Sequence, residues 1–416
     1  MKQILILGAG TAGTMMANHL RRRLPPAQAA ITVLDRDDEH LYQPGLLLLP
    51  FGHYRAADLV RRRGDYLPPG VEFVLAEGDR IDAAGRQVRL RDGRALPYDV
   101  LIVATGSRIV PGETPGLLGE EWMRSIFDFY TLAGSTALGA RLKDWPGGRL
   151  VVHIKEMPIK CPVAPLEFAF LADAFFRAKH MRERVQITYV TPLPGAFTRP
   201  ISSAYLSSML QQRHIAMEAE FDVERVDGAA RKLVAYDGRE VPFDLLVTVP
   251  THMGDPLIER SGLGDELGFV PTHPKTLQAK AHPEIFAIGD ATNIAASKAG
   301  SVAHFEAEVL VENVARFLAG QPLAEAFDGH SNCFIETGDG KGLLIDFNTE
   351  VEPLPGTFPF PVVGPLPLLR ESRLNHWGKL AFRWIYWNLL LRGRHIPFVS
   401  AQLSLRGKER PPAQAA

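Results

Sequence analysis

The sequence predicts an α/β protein made of two Rossmann-like domains, the first interrupted by the second, and a C-terminal amphipathic region. Three observations lead to this prediction. A glycine-rich turn follows an apolar strand at the N-terminal end, a second strand–helix–strand pattern begins near Leu150, and the segment EIFAIGDAT reads as a return to the first domain. A chain of 416 residues is long enough for this plan, since a domain takes roughly 100–200 residues.

The first element is a strand at Lys2–Leu7, followed by a tight turn and a helix from about Thr11 to Leu24. The turn has the spacing G-x-G-x-x-G, and its glycines are Gly8, Gly10 and Gly13. Such a turn lets a pyrophosphate approach the backbone at a helix N-terminus. Asp35 closes the next strand, where a carboxylate suits the ribose hydroxyls of an adenosine and would repel the 2′-phosphate of NADP. The unit is therefore predicted to bind a dinucleotide, and the alternative is a tight turn without a ligand.

Two later segments complete the predicted first domain. A buried strand at Asp99–Ala104 leads into a second close-approach turn, which contains Thr105 and Gly106. The strand in EIFAIGDAT ends at Gly289 and Asp290. An acid after a glycine at a strand end suits a ribityl or phosphate-linked hydroxyl, and a helix-capping aspartate is the alternative.

The second domain repeats the pattern with a different turn. A strand at Leu150–Ile154, a helix from about Pro165 to Lys179 and a strand at Val185–Val190 form a second predicted βαβ unit. Its turn reads IKEMPIKCPVAP, in which bulky side chains stand where glycines would be needed. Because a pyrophosphate cannot then approach the backbone, we expect no NAD(P)H site in this domain.

Composition and charge narrow the class of protein. Lys and Arg total 46 against 47 Asp and Glu, and this near balance gives no whole-chain reason to expect a nucleic-acid partner. The first strand begins at Lys2, so we expect no cleavable signal and a start in the cytoplasm. No run reaches the roughly 18 consecutive apolar residues of a spanning helix. Cys161 and Cys333 are too few for a disulfide scaffold, although they could form one redox pair, and no metal site is predicted.

Taken in order, the glycine turn with its acid, the ATG turn at Ala104–Gly106 and AIGDAT resemble the flavoprotein disulfide-reductase superfamily. The stretches KCPVAPLEFAFLAD and SNCFIETGDGKG and the aromatic tail narrow the resemblance to the sulfide:quinone oxidoreductases and their relative flavocytochrome c sulfide dehydrogenase. The resemblance implies that Cys161 and Cys333 are a redox pair facing a flavin. It also implies that FAD is bound by Gly8, Gly10, Gly13, Asp35, Thr105, Gly106, Gly289 and Asp290.

The same resemblance implies roles for two charged residues. Lys341 would lie beside the pyrimidine side of the flavin, where a cation stabilises the reduced ring. Glu167 would be an acid near the sulfur chemistry. The alternatives are a solvated turn residue for Lys341 and a first-turn acid that satisfies the helix dipole for Glu167.

The sequence departs from the family pattern at two places. The third cysteine that many sulfide:quinone oxidoreductases carry is missing from WMRSIFDFYTL, so we expect no covalent cysteine link to the flavin. A histidine often found after the strand QITYVTP is also missing, and Phe197 stands nearby. Proton delivery is therefore assigned first to Glu167 and second to His304.

The tail segment LNHWGKLAFRWIYWNLLLRGRH predicts an amphipathic helix, and three of the five tryptophans fall within Trp377–Trp387. One stripe of this helix is apolar and comprises Trp377, Leu380, Ala381, Trp384 and Ile385. Another face carries His376, Lys379 and Arg383. Aromatic residues beside cations fit a lipid headgroup interface, while the alternative is a helix docked on its own core or on a dimer partner, which leaves homo-oligomerisation open. We expect that ending the chain near Pro367 releases it from the bilayer surface and leaves the sulfide chemistry intact.

The leading prediction is an FAD enzyme that oxidises sulfide to polysulfide or sulfur and reduces a membrane quinone, as a peripheral, monotopic membrane protein. Residues 1–107 and 275–325 would form the FAD domain, 108–274 the second Rossmann-like domain, and 326–416 a C-terminal region with the second cysteine and the membrane-anchoring helices. The alternatives are a type II NADH:quinone dehydrogenase, a flavocytochrome-type subunit, and a flavin-binding redox sensor or scaffold without turnover. The glycine-free turn in the second domain argues against the NADH enzyme.

Overall fold

The computed structural model describes residues 1–360, 364–396 and 399–409. Its first parallel sheet has the N-terminal strand at the centre. Across this sheet the strands are Ile285–Ala287, Val100–Val103, Lys2–Leu7, Ala29–Asp35 and Val71–Leu75. Because the strand that begins at residue 285 pairs with the one that begins at residue 100, the chain leaves this sheet and returns to it. An interrupted first domain was predicted from the same two segments, and its boundaries remain a prediction.

The helices lie between these strands and over both sheets. In the described residues they are α1 (Thr11–Arg23), α2 (Leu132–Asp144), α3 (Ala164–Ala178), α4 (Pro200–Gln212), α5 (Pro256–Arg260), α6 (Gly300–Leu318) and α7 (Arg373–Ile385). Helices α1 and α6 pack against each other and on one face of the first sheet. Met15, Met16 and Leu310 are fully buried there, and each such side chain stabilises the fold by about 1.5–3 kcal/mol.

A second parallel sheet is formed by the middle of the chain. Its strands, in spatial order, are Ile126–Phe127, Leu245–Val249, Gly148–Ile154, Val185–Val190 and Ala216–Glu218. Helix α3 follows the central strand, as the sequence predicts for a βαβ unit, and buries Phe168, Phe170 and Phe176 in the core of this half. The α/β character of the fold is therefore confirmed.

The remaining strands form small antiparallel sheets. Their strands are Gly78–Asp82, Gln87–Leu90 and Ala95–Pro97; Val223–Asp227, Lys232–Ala235 and Glu240–Pro242; Arg108–Ile109 and His252–Met253; Glu39–Leu41 and Val60–Arg62; Ser331–Gly338 and Lys341–Phe347; and Gly356–Phe358 and Leu366–Leu368. Each parallel sheet thus has a three-stranded antiparallel neighbour close to it in sequence.

The C-terminal region joins the two halves. The hairpin of Ser331–Gly338 and Lys341–Phe347 packs between α3 and α7. A π-helical turn, Tyr386–Leu390, continues α7 and inserts Tyr386 and Trp387 into the core of the first half. Part of the predicted region 326–416 lies outside the described residues, namely 361–363, 397–398 and 410–416.

Candidate active site

A cavity of about 530 Å³ lies at the carboxyl ends of the first sheet's strands and extends to the start of α3. Most residues predicted to hold a dinucleotide or to react line this cavity. They are Gly8, Gly10, Asp35, Thr105, Gly106, Cys161, Glu167, Gly289 and Asp290. Among the described residues, Gly13, Cys333 and Lys341 are not part of the lining.

The three glycines of the first turn have two different tasks: two of them allow the backbone to pack closely, and one leaves room for a ligand. Gly8 has φ +96°, and a Cβ there would lie 2.5 Å from the carbonyl oxygen of Ala104. A Cβ on Gly13 would lie 1.8 Å from the carbonyl oxygen of Gly8, so helix and strand can approach only if this residue is glycine. A Cβ on Gly10 would meet nothing within 4 Å, because it would point into open space. Gly8 and Gly13 therefore shape the turn, and Gly10 leaves room for a ligand.

Asp35 is held in place by the turn that it faces. Its Oδ2 accepts a hydrogen bond from the amide of Ala9 at 2.7 Å, and its Oδ1 accepts one from the amide of Arg36 at 2.8 Å. Arg63 forms an ion pair with the same carboxylate and also lines the cavity. No sequence pattern indicated Arg63, since it comes from a loop with no recognisable motif.

The ATG turn and the residue after it contribute hydroxyl groups that have no hydrogen-bond partner in the described part of the chain. The hydroxyl oxygens of Thr105 and Ser107 are buried and have no hydrogen bond within the described part of the chain. Beside them, Lys298 Nζ donates to the carbonyl oxygens of Asp290, at 3.0 Å, and Thr292, at 2.7 Å. Burial lowers the pKa of Lys298. Unpaired hydroxyls in a cavity are the expected feature of a site built for a polar ligand.

Cys161 is carried by the loop between strand Gly148–Ile154 and α3. Its amide donates to the carbonyl oxygen of Lys298 at 2.7 Å, which ties this loop to the first half of the molecule. The hydroxyl of Tyr130 donates to the carbonyl oxygen of Lys160 at 2.8 Å and fixes the preceding residue. The loop therefore faces the cavity of the other half.

Cys333 lies on the strand Ser331–Gly338 of the C-terminal hairpin and packs on the same core as Cys161. Ser301, at the start of α6, donates to the carbonyl oxygen of Asn332 at 2.8 Å and holds the strand against the cavity's end. Both cysteines are free thiols packed on the same hydrophobic core, and the charge of Cys333 contributes to the raised pKa of Cys161. Burial is the main cause in both cases, and it raises the pKa of Cys333 to about 12. The structure thus brings the two cysteines within electrostatic reach of each other.

Glu167 lies beside this pair and is fully buried. Its Oε1 accepts a hydrogen bond from the amide of Glu336 at 2.6 Å and another from the ammonium of Lys379. Its Oε2 has no hydrogen bond in the described residues. Burial raises the pKa of Glu167, against the opposing effect of Lys379. A buried carboxyl with a free oxygen can hold or release a proton next to the thiols.

Lys379 extends from α7 into this cluster. Its Nζ also donates to the carbonyl oxygen of Phe334 at 3.0 Å. Burial alone would lower the pKa of Lys379, but Glu167, Cys161 and Glu336 together raise it. The sequence placed this lysine on the polar face of a membrane helix, which is why reasoning from sequence missed its position in the site.

Comparisons with known proteins show which proteins this chain is similar to. Residues 2–144 match the pyridine nucleotide-disulphide oxidoreductase family. The chain is 25% identical over 407 residues to the mitochondrial sulfide:quinone oxidoreductase of Mus musculus, covering 94% of this chain and 86% of the mouse protein. It is 26% identical over 422 residues to the mitochondrial sulfide:quinone oxidoreductase of Schizosaccharomyces pombe, covering 94% of this chain and 90% of that protein. The crystal structure of the sulfide:quinone oxidoreductase of Aquifex aeolicus superposes with a TM-score of 0.78 at 18% identity, over 95% of this chain and 92% of that one.

The chain is a relative of the sulfide:quinone oxidoreductases. The resemblance predicted from the cysteine motifs is therefore confirmed over nearly the whole chain, as is the assignment to the oxidoreductases. Compared with the pattern expected of this family, the segment that lacks the third cysteine contributes Tyr130 to the cavity wall. Phe197, near the missing histidine, is buried in the core of the second half.

Two predicted site residues lie elsewhere in this sulfide:quinone oxidoreductase relative. Lys341 is exposed at the end of the C-terminal hairpin, because Asp339 and Gly340 form its tight turn at φ +55° and +65° and direct it to the surface. The lysines that line the cavity in the described residues are Lys160, Lys298 and Lys379, and Lys298 donates to the carbonyl oxygen of Asp290. His304 is buried between α1 and α6 and is absent from the lining among the described residues. Burial lowers the pKa of His304 to about 4.

The tail helix has an unexpected orientation. Trp377 and Trp384 are each 61% exposed, as the predicted apolar stripe requires. Trp387 is 1% exposed and packs against Tyr66, so its predicted place at a lipid interface is wrong: the π-helical turn rotates it into the core. The charged face made by His376, Lys379 and Arg383 points into the protein. Throughout the described ranges, every helix is too short or too polar to cross a bilayer.

Proposed function

We propose that this chain uses FAD to oxidise sulfide at a Cys161–Cys333 pair and passes the electrons to a membrane quinone. The observation that carries this function is that two cysteines from distant parts of the chain pack on one hydrophobic core and interact electrostatically, and that Cys161 lines the cavity together with Glu167 and Lys379. The relatives named above act on sulfide and quinone by their names, and the alignments cover both cysteine motifs.

The cavity fits a dinucleotide such as FAD. A Cβ added at Gly10 or Gly106 would point into open space. The buried hydroxyls of Thr105 and Ser107 have no hydrogen-bond partner in the described residues. The residues that would hold the cofactor are Gly8, Gly10, Asp35, Thr105, Gly106, Gly289, Asp290 and Lys298. FAD bound there supplies a two-electron carrier between the sulfur site and the quinone. With both cysteines assigned to sulfur chemistry, the flavin is held without a cysteine thioether.

The sulfur step is a thiol–disulfide exchange. The anion HS⁻ attacks a Cys161–Cys333 disulfide, one S–S bond forms to give a persulfide on one cysteine, and the original S–S bond breaks to give a thiolate on the other. Atoms balance, and the negative charge passes from sulfide to the leaving thiolate. Glu167, whose Oε2 has no hydrogen bond in the described residues, would take or return the proton that sulfide and persulfide exchange. Closing the cysteine bridge again after each attack releases two electrons, which bound FAD would accept and pass to the quinone. Repeated turnovers then extend the sulfur chain, so polysulfide or sulfur is the expected product.

The quinone is expected to arrive from a bilayer surface on which α7 rests. Leu374, Trp377, Leu380 and Trp384 form an exposed apolar stripe. Exposed arginines flank this stripe, namely Arg370, Arg373, Arg392 and Arg394. Apolar burial and attraction to anionic headgroups then act together. Phe382 and Tyr386 of the same segment line the cavity, so the lipid-facing helix is also a wall of the site.

Anaerobic titration of the purified, flavin-loaded protein tests this function. We expect sulfide to bleach the visible flavin absorbance and a quinone analogue to restore it. NADH should leave the spectrum unchanged, because the residues at the second strand-to-helix junction leave no room for a pyrophosphate. Bleaching by NADH and not by sulfide would instead support a type II NADH dehydrogenase. Binding of flavin with no turnover by either reductant would support a redox sensor.

A further inference from the structure

Helix α1, which begins at the glycine turn, also holds the chain that follows α7. The hydroxyl of Thr11 lies 2.7 Å from the hydroxyl of Tyr386, and Asn18 Nδ2 donates to the carbonyl oxygen of Leu391 at 3.1 Å. Thr11 and Asn18 are about two helical turns apart, so they lie on the same face of α1. One face of the nucleotide-binding helix therefore fixes residues 386–394, which we call the 386–394 segment.

At its far end this segment approaches α1 so closely that a glycine is required. Arg22 donates to the carbonyl oxygens of Arg392 and Gly393. Gly393 has φ +55°, and a Cβ there would lie 3.0 Å from the ring of His19 and 3.1 Å from the Cβ of Asn18. A side chain at this position would push the segment away from the helix.

Tyr386 is the residue of this segment that reaches both α1 and the cavity. It is 1% exposed, and it lines the cavity together with Thr11. Its hydroxyl also lies 2.7 Å from Nε2 of His40, and its ring packs edge-on against Tyr42 at a centroid distance of 4.9 Å. Burial lowers the pKa of His40 to about 3, so this imidazole is neutral near pH 7. The tyrosine hydroxyl is therefore fixed between an uncharged ring and Thr11.

Thr11 is the group through which Tyr386 can act on a ligand. It is the first residue of α1, next to Gly10, at the helix N-terminus that opens into the cavity. A threonine hydroxyl has one proton to donate and two lone pairs to accept with. Since Tyr386 takes up part of this capacity, it sets the direction of what remains for a ligand.

We propose that Tyr386 is a positioning residue for the cofactor: it orients the Thr11 hydroxyl, so that docking of the 386–394 segment on α1 and binding of FAD strengthen each other. This inference rests on the proposed function for the identity of the cofactor, and not for the oxidation of sulfide. Such coupling is reciprocal, because the factor by which docking raises FAD affinity equals the factor by which FAD favours docking.

Ending the chain near Pro367 would remove more than a surface helix. Tyr386, Trp387, Leu390 and Leu391 are buried in the core of the first half of the molecule. We therefore no longer expect such a truncation to leave the sulfide chemistry intact, and single substitutions are the sharper experiment.

A double-mutant cycle on the full-length protein measures the coupling through Thr11. FAD is removed and added back, and its affinity is read from the quenching of flavin fluorescence. Tyr386→Phe should bind FAD about fivefold more weakly, the effect expected from one hydrogen bond. Thr11→Val should weaken binding at least as much. In the Thr11→Val background, Tyr386→Phe should change the affinity by less than about twofold, because the group that it orients is gone.

Two further variants separate this role from general damage to the fold. Tyr189→Phe is the matched control, since it removes a buried tyrosine hydroxyl that donates to the carbonyl oxygen of Ala196 in the second half, and its FAD affinity should stay within about twofold of wild type. Gly393→Ala acts from outside the cavity, whose lining in the described residues does not include Gly393. Its FAD affinity should nevertheless fall about threefold, because the added Cβ pushes the segment from α1.

Hydrogen exchange of the 386–394 segment tests the coupling in the reverse direction. Mass spectrometry with and without saturating FAD should show exchange slowed about fivefold by FAD in the wild-type protein, the same factor as in the affinity measurement. In Tyr386→Phe the slowing should be less than about twofold. Exchange that FAD leaves unchanged in the wild-type protein would show that docking and binding are independent.

Unchanged FAD affinity in Tyr386→Phe would overturn the positioning role. A loss that persists in full in the Thr11→Val background would overturn it too, since Tyr386 would then act without Thr11. Because none of these measurements needs sulfide or quinone, the two proposals can fail separately. A protein that shows the coupling but is not bleached by sulfide would refute the proposed function and leave the role of Tyr386 standing, whereas a wild-type protein that does not bind FAD would refute both.

Discussion

The two parallel sheets use the same junction, strand to helix, for opposite purposes. After Lys2–Leu7 the chain needs only a short glycine turn to start α1, and Gly10 leaves open space beside the helix N-terminus. After Gly148–Ile154 it takes a longer loop, residues 155–163, before α3, and that loop carries Cys161. One junction leaves the backbone at the helix N-terminus open to the cavity, and the other places a cysteine side chain in the cavity wall. Both junctions belong to the same kind of fold. The length of the loop and the presence of Cβ atoms determine whether a junction exposes its backbone or carries a side chain into the cavity.

A second comparison extends the first. Each half has a buried glutamate on the helix beside its site that accepts a backbone hydrogen bond at 2.6 Å: Glu306 from Gly289, and Glu167 from Glu336. Burial raises the pKa of both, to about 8 for Glu306. Glu167 differs because Lys379 contacts it, so this carboxyl is coupled to the thiols while Glu306 supports a turn. Similar placement therefore does not imply similar chemistry.

The largest effect should come from removing the reactive group of the second junction. Cys161→Ser or Cys333→Ser should lower the rate of sulfide-driven flavin reduction by roughly a thousandfold or more, because each removes one half of the exchange. Stopped-flow absorbance with excess sulfide measures this loss. Flavin content should stay at the wild-type level, since the glycine turn is untouched. Turnover within a few fold of wild type in either variant would show that its cysteine is structural.

Two alanine substitutions test whether the glycine turn before α1 leaves space for a ligand. Gly8→Ala forces a Cβ against the carbonyl oxygen of Ala104 at a positive φ and should destabilise the flavin-free protein by about 1–3 kcal/mol. Gly10→Ala has no such contact, so its flavin-free stability should stay within about 0.5 kcal/mol of wild type. Its flavin affinity should nevertheless fall about tenfold, since the methyl group occupies ligand space.

Urea unfolding and flavin-release titrations separate these effects. If Gly10→Ala bound flavin as tightly as wild type, the open space beside this turn would not be the pyrophosphate site.

Sequence patterns predicted the elements that local chemistry determines. The strands Lys2–Leu7 and Val185–Val190 have the predicted bounds, because short apolar runs encode them directly. Side chains positioned by tertiary packing were harder. Lys379 was assigned only to a different face of the tail helix from the apolar stripe, since helical periodicity separates two faces but does not say which one meets the protein.

The errors at Lys341 and Trp387 have related causes. Lys341 was assigned through its motif, GDGKG, but the same glycines and aspartate make the tight turn that carries it to the surface. Trp387 follows the apolar stripe of α7 in sequence, yet the π-helical turn changes the residue spacing and buries it against His40 and Tyr66. Neither the direction of a turn nor a local change of helix type is visible in composition.

A smaller effect is expected at the turn-supporting glutamate. Because the pKa of Glu306 is raised from 4.5 to about 8 in the folded state, the native protein holds this proton more tightly than the unfolded chain. The contribution of Glu306 to the free energy of unfolding is full below pH 4.5. It is lost as the pH rises through about 8, at up to about 1.4 kcal/mol per pH unit. Glu306→Gln should flatten the decline of the melting temperature between these values, as scanning calorimetry across that range would measure. An unchanged slope would assign the decline to other groups.

The smallest effect is expected at the lysine that the motif indicated. Lys341→Met alters an exposed hairpin residue and should change the free energy of unfolding by less than about 0.5 kcal/mol, with flavin content and sulfide-driven bleaching within about twofold of wild type. Lys298→Met is the informative partner, because it removes a buried ammonium that donates to the carbonyl oxygens of Asp290 and Thr292 and lines the cavity. Loss of the Lys298 ammonium should lower the free energy of unfolding by about 1–3 kcal/mol and weaken flavin binding. Flavin retention on a desalting column, measured for both variants, decides between the two lysines. If Lys341→Met loses flavin and Lys298→Met keeps it, the cation beside the cofactor is Lys341 of the hairpin.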